Sequence, residues 1–341
     1  SKSFTVKTPV RIDIGGSTLD IWPLNLCFDN LEPITINVAI NIFTYATIRE
    51  TNAKRVRFVS IDKKIARYAD SIDLIKAPPS ILLHKVLAER MLANCKNGFE
   101  IITSSNAPSG GGLAGSSSLM IGLIKAASKF CTSRLTNTQI IEYAKDLEAK
   151  ILQVPTGLQD YLATMHGGLN GFRFRPGGVE SYSLDGKENF VSSRLLLFYS
   201  GKTRNSGINN WQVFKKIIDK DRRTISSFKR IIALTEEMLD AIETEHTLNF
   251  DMAVKREWKI RRTLFENIST AKIDRAIKLG IKEGAVAARI SGAGGGGCFF
   301  LLADRKYHIS IISRLRSINI QHLPFTVSKT GARVTTNDLR F

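Results

Sequence analysis

The chain has 341 residues, 43% of them apolar, enough to bury the core of two lobes rather than one. No run approaches the roughly 18 uninterrupted apolar residues of a membrane helix, and the first eight residues alternate like a strand, without the apolar stretch of a secretion signal, although a removed leader stays open. The net charge of +18 is concentrated around residues 215–230 and 255–262, which read as helices. With no nucleic-acid module beside them, these runs are read as solvated helix faces and a bias toward an anionic substrate.

In chain order, residues 34–49 alternate and are rich in Ile, Val and Thr, and 55–61 repeat that character, so both are predicted strands. Residues 81–95 place Leu82, Leu83, Val86, Leu87 and Met91 at helical spacing. A strand over 98–104 runs into a glycine-serine loop at 108–118, and an apolar helix follows to about 131. Thr136 or Asn137 caps the next helix, which ends near 152. Beyond the turn at 155–157 come a helix, strands near 168–174 and 195–199, an almost wholly helical stretch over 208–279, and strands near 287–291 and 298–303. The pattern predicts an α+β chain of two lobes, 1–190 and 191–341, with the boundary lying within 175–205. Cys27, Cys95, Cys131 and Cys298 form no CxxC pair, and the five histidines show no metal spacing. A disulfide framework and a zinc site are therefore not expected, and a reducing cytoplasm is the simplest compartment.

The loop Pro108, Ser109, Gly110, Gly111, Gly112, Leu113, Ala114, Gly115, Ser116, Ser117, Ser118 carries the functional argument. Its glycines let the backbone approach a ligand, and the helix it opens begins with N–H groups that have no internal partner, an anion site suited to a polyphosphate. Gly110, Gly112 and Gly115 fit the dinucleotide fingerprint literally, but nothing acidic stands between Ser116 and Ile141 to take a ribose. Gly201-Lys202-Thr203 ends like a Walker A loop, but Leu196 stands where its earlier glycine belongs.

The loop is similar instead to the second signature of the GHMP kinases, the superfamily of galactokinase and mevalonate kinase. It carries Ala114-Gly115 where Gly-Ser is usual. Residues 8–20, with Pro9-Val10-Arg11 and Gly15-Gly16-Ser17-Thr18-Leu19-Asp20, resemble the family's first motif in its sugar-kinase form. Residues 290–298, a run of glycines flanked by Ser291 and Cys298, resemble the third. The resemblance implies a two-lobed fold with ATP and Mg²⁺ in the cleft, the nucleotide held by 108–118 together with Gly294 and Gly295. It implies Asp160 as general base and Arg11 beside it. Ser116, with Ser117 in reserve, and Glu148, twelve residues before Asp160, would hold the metal, with Glu142 and Asp146 as competitors. Asp20, Gly16 and Gly294 would meet the substrate, and Lys202, Arg204 and Asn205 are candidates for an anionic group on it. Trp22 is open between stacking on a sugar and core packing. The reaction implied is phosphoryl transfer to a sugar or sugar phosphate. A mevalonate-type kinase, which more often carries Lys at the position of Arg11, and a non-catalytic sensor are the rivals. Monomer and homodimer both stay open.

Overall fold

The computed structural model describes residues 2–52, 54–201 and 207–335. The first part of the chain gives β1 (Ser3–Gly15), β2 (Ile34–Thr51), β3 (Val56–Ser60), β4 (Ile65–Ala69), α1 (Leu82–Leu87), β5 (Gly98–Ser105), α2 (Gly115–Phe130), α3 (Asn137–Leu152), α4 (Gln159–His166), β6 (Leu169–Arg175) and β7 (Gly178–Ser183). There follow α5 (Glu188–Ser192), β8 (Leu195–Tyr199), α6 (Gly207–Ile218), α7 (Arg222–Glu243), α8 (Thr247–Arg261), α9 (Ala271–Lys282), β9 (Ala287–Ile290), β10 (Cys298–Leu302), α10 (His308–Arg316), β11 (Gln321–His322) and β12 (Arg333–Thr335).

Two sheets organise these elements. The larger runs β12-β1-β2-β5-β3-β4, with β6 on the first half of β2 and β7 beyond it. Only the β3–β5 pair in it is parallel. The smaller, β11-β8-β10-β9, is antiparallel throughout. β12 returns the end of the expected second lobe to the first sheet. The uninterrupted apolar run of β8 is explained by its two covered faces. Leu195 and Leu197 pack with Val10, Ile12 and Ile14 of β1 between the sheets, whereas Leu196 and Phe198 pack with Phe299 and the helices outside. A third cluster lies under the large sheet, where Met120, Ile121, Leu123 and Ile124 of α2 meet Ile48, Phe58 and Ile101.

Most predicted elements lie where expected, and the differences have local causes. Thr136, not Asn137, caps α3, in a reciprocal capping box with Gln139. The helix expected over 81–95 is divided into a 3₁₀ turn at Pro79–Ile81, α1, and a π turn at Ala88–Leu92. The stretch expected as helical over 208–279 is four helices, with Asp221, His246 and Thr270 capping the last three. β4 and β7 escape the sequence pattern because they are largely solvent-facing. No helix among the described residues is long and apolar enough to cross a membrane.

One core histidine gives the fold a pH dependence. His84 is 1% exposed, with Nε2 2.9 Å from Thr103 Oγ1 and 3.2 Å from the Val59 carbonyl. Burial pulls its pKa down to about 4, opposed only by the Val59 carbonyl. The unfolded chain therefore takes up the proton first as pH falls from about 6.5, so stability is complete above that value and is lost toward pH 4. Urea unfolding at pH 7 and pH 5 is expected to differ by about 2 kcal/mol from this group alone. His84→Gln should remove that part of the difference.

Candidate active site

The glycine-serine loop leaves β5, turns through Gly110 and Gly112 at positive φ, and enters α2 through Ala114 in the left-handed conformation. No side chain caps α2, in contrast to α3, α7, α8 and α9. Its first turn therefore presents amide groups and the positive end of the helix dipole toward the cleft. The loop is docked on the third glycine run. Cys298 N donates to the Gly111 carbonyl at 2.8 Å, and Ser291 Oγ donates to the Gly112 carbonyl at 3.1 Å. A Cβ at Gly112 would lie 2.4 Å from the Ser291 carbonyl oxygen, so this interlock requires glycine.

Facing the loop is a pair contributed by β1 and α4. Arg11 is 2% exposed and reaches Asp160 Oδ1 through Nε at 3.0 Å and Nη2 at 2.5 Å, while Nη1 donates to the Gly112 carbonyl at 2.8 Å. One guanidinium thus ties the carboxylate to the glycine loop. Asp160 stands in the first turn of α4, and its side chain keeps 29% exposure toward the cleft. On the adjoining wall Glu148 is buried, and its Oε2 accepts from Ser117 Oγ at 2.9 Å and from the Tyr161 hydroxyl. Burial raises the Glu148 pKa, opposed by hydrogen bonds from Tyr161, Ser116 and Ser117. Burial and the neighbouring Glu148 hold Tyr161 protonated as the donor.

These groups border one cavity of about 850 Å³. Of the residues singled out in the sequence, Arg11, Pro108, Gly110, Gly111, Gly112, Ala114, Gly115, Ser116, Ser117, Glu148, Asp160 and Gly294 line it. The others do not. Leu113 and Ser118 turn into the core, the Ser118 hydroxyl 2.7 Å from Thr44 Oγ1. Gly295 N donates to the Ile268 carbonyl at 2.7 Å, and Gly16 packs against the Ile34 carbonyl. Glu142 and Asp146 point outward and share Lys145. Lys202, Arg204 and Asn205 lie outside the described residues.

Asp20 differs most from expectation. It is 4% exposed, does not line the cavity, and accepts from Gln159 N at 3.0 Å. It therefore caps from a distance the helix that carries Asp160. Burial first, and then the Asp160 charge, push its pKa up to about 7. Gly157 permits the contact, since a Cβ there would lie 1.7 Å from Asp20 Oδ2. Trp22 is 70% exposed, which rules out core packing. Sequence reasoning missed Asp62, Lys63, Pro79 and Ser80 at one end of the cavity and Asn210 and Trp211 of α6 at its rim. None of these belongs to a glycine motif. Trp211 Nε1 donates to the Gln153 carbonyl at 3.1 Å and Asn210 Nδ2 to the Pro155 carbonyl at 2.8 Å, latching α6 to the segment before α4.

Comparison with known proteins gives the arrangement its relatives. The family model for the GHMP kinases N terminal domain matches residues 81–168, and that for the GHMP kinases C terminal domain matches 253–319. D-glycero-alpha-D-manno-heptose 7-phosphate kinase of Campylobacter jejuni is 25% identical, over 97% of this chain and 98% of its own. Mevalonate kinase of Methanocaldococcus jannaschii is 27% identical over 66% of this chain and 68% of its own. The crystal structure of a D-glycero-D-manno-heptose 1-phosphate kinase from Bacteriodes thetaiotaomicron superposes with a TM-score of 0.79 at 21% identity, covering 98% of this chain and 99% of that one.

Proposed function

The chain belongs to the GHMP kinases, and from that premise we propose that it transfers the γ-phosphoryl group of ATP to a hydroxyl of a sugar or sugar phosphate. The observation that carries the reading is the Arg11–Asp160 pair tied to the glycine loop that leads into an uncapped helix start. Phosphoryl transfer needs the phosphates held and an acceptor hydroxyl aligned and relieved of its proton. The amides at the start of α2 hold the phosphates. Asp160, the partly exposed carboxylate, takes the acceptor proton, and Arg11 holds that carboxylate in place and favours the developing alkoxide. The acceptor class follows the relative that matches nearly the whole chain, a kinase named for a heptose phosphate.

The donor set suits Mg²⁺. Glu148 with the Ser116 and Ser117 hydroxyls offers hard oxygen ligands beside the phosphate loop. Among the described residues no group of three His, Cys, Asp or Glu gathers as a self-sufficient metal cage. A magnesium ion held by one or two protein ligands and substrate phosphates fits such a site. Bound there, it would neutralise phosphate charge. Tyr161 is then an orienting partner of a metal ligand. Tyr161→Phe is expected to weaken apparent Mg²⁺ affinity by about 10-fold or more, read from a Mg²⁺ titration of turnover at fixed ATP.

ADP release with Mg·ATP across free sugars, sugar phosphates and mevalonate tests the acceptor class. Turnover with a sugar phosphate or free sugar supports the proposal. Turnover confined to mevalonate would replace the acceptor, a reading that the M. jannaschii match keeps in view. Nucleotide binding without turnover on any acceptor would favour a sensor.

A further inference from the structure

Behind the cleft lies a charge cluster that the mechanism above does not use. Asp13 on β1, Glu257 and Arg261 on α8, and Arg289 on β9 are each at most 2% exposed. Two carboxylates and two guanidiniums sum to zero, the condition under which buried charge is tolerated. Arg289 reaches Glu257 through Nε at 2.9 Å and Nη2 at 3.2 Å, lies 3.2 Å from Asp13 Oδ2, and donates to Ser17 Oγ at 2.9 Å. Arg261 uses its charge differently. Its Nη1 donates to the Ser17 carbonyl at 2.9 Å and its Nη2 to the Gly292 carbonyl at 2.9 Å.

Those two carbonyls belong to two separate segments, of which Gly292 lines the cavity and Ser17 lies behind it. Ser17 lies in the turn that leads to Asp20, whose carboxylate caps the helix of Asp160. Gly292 belongs to the run that interlocks with Gly112, where a Cβ on Gly292 would come 2.8 Å from the Gly112 carbonyl oxygen. A single planar fork therefore joins the turn that braces the Asp160 helix to the phosphate-side loops, a span that one ammonium with the same charge does not reproduce.

We infer that Arg261 is a positioning residue that couples the two halves of the site, so that nucleotide binding orders the turn over residues 16–20 before any acceptor arrives. Coupling of this kind is reciprocal, so an acceptor that engages Asp160, on the helix this turn caps through Asp20, tightens nucleotide binding by the same factor. The inference rests on the nucleotide reading of the previous section.

Hydrogen exchange of the full chain, with and without the magnesium complex of a non-hydrolysable ATP analogue, separates the two. In the wild type the analogue is expected to slow exchange over 108–118 and also over 16–20, the latter by about fivefold or more. In Arg261→Lys, protection over 108–118 should remain while that over 16–20 is lost. Should that variant fail to fold, Arg261→Met combined with Glu257→Gln keeps the remaining pair, Asp13 and Arg289, neutral in sum and is expected to behave alike. Ser17→Ala, which leaves both Arg261 contacts in place, should keep the coupled protection. Protection over 16–20 that persists without Arg261, or is missing in the wild type while 108–118 responds, overturns the inference. No protection over 108–118 in the wild type would instead remove the nucleotide reading beneath it.

Discussion

Asp160→Asn is expected to lower kcat by about 10²–10⁴ while nucleotide binding stays close to that of the wild type. Asparagine keeps the shape of the side chain and one oxygen to receive Arg11, whose third contact, to the Gly112 carbonyl, is untouched. The loop that would hold the nucleotide is therefore preserved. What is lost is the capacity to take a proton at the point where the carboxylate faces the cleft, and that loss falls on kcat. Steady-state kinetics beside calorimetric titration with the ATP analogue make the distinction. A variant with wild-type kcat would take the base role away from Asp160, and a variant that no longer binds nucleotide would make its role structural.

Arg11→Met has the second large effect, and here stability and activity fall together. The substitution strands the Asp160 carboxylate and leaves the Gly112 carbonyl with Ser291 Oγ as its one remaining side-chain donor. Breaking a buried ion pair from one side costs about 3–5 kcal/mol. Because the Asp160 side chain keeps 29% exposure, a cost of about 2–3 kcal/mol is expected here. Loss of the charge beside the developing alkoxide should lower kcat/KM by a further 10²–10³ or about that order. Arg11→Lys retains the charge but not the fork, so it should recover stability better than turnover. Urea unfolding and kcat/KM on the same pair of variants test this; equal recovery of both would reduce Arg11 to an ion-pair partner.

Much of this was legible in the sequence because it is local. A strand, a glycine-rich loop and an apolar helix in immediate succession are what an anion site would need, and 108–118 do lead from β5 into an uncapped start of α2. The dense apolar run at 195–199 reported a strand covered on both faces, whereas the alternation over 34–49 marked a strand but not its burial, since 34–40 are buried throughout. Other features are not local. Leu113 and Ser118 belong to the motif by sequence but to the core by the turn of the loop and by helix phase respectively, which a string of small residues does not reveal. Asp20 was read by its position in a motif, and its orientation was decided by Gly157 and Gln159, about 140 residues away. The partnership of Arg261 with Ser17 spans 244 positions and leaves no periodic trace. β4 and β7, mostly wet, carry little of the hydrophobic signal that marks a strand.

The most direct test of the central claim is to follow Mg·ATP and a panel of sugar phosphates by ³¹P NMR with the wild-type protein. A new phosphate-ester resonance growing as the γ resonance of ATP declines, and absent with Asp160→Asn, is the predicted result. Decline of the γ resonance into inorganic phosphate alone, or ester formation at wild-type rate in the variant, would contradict it.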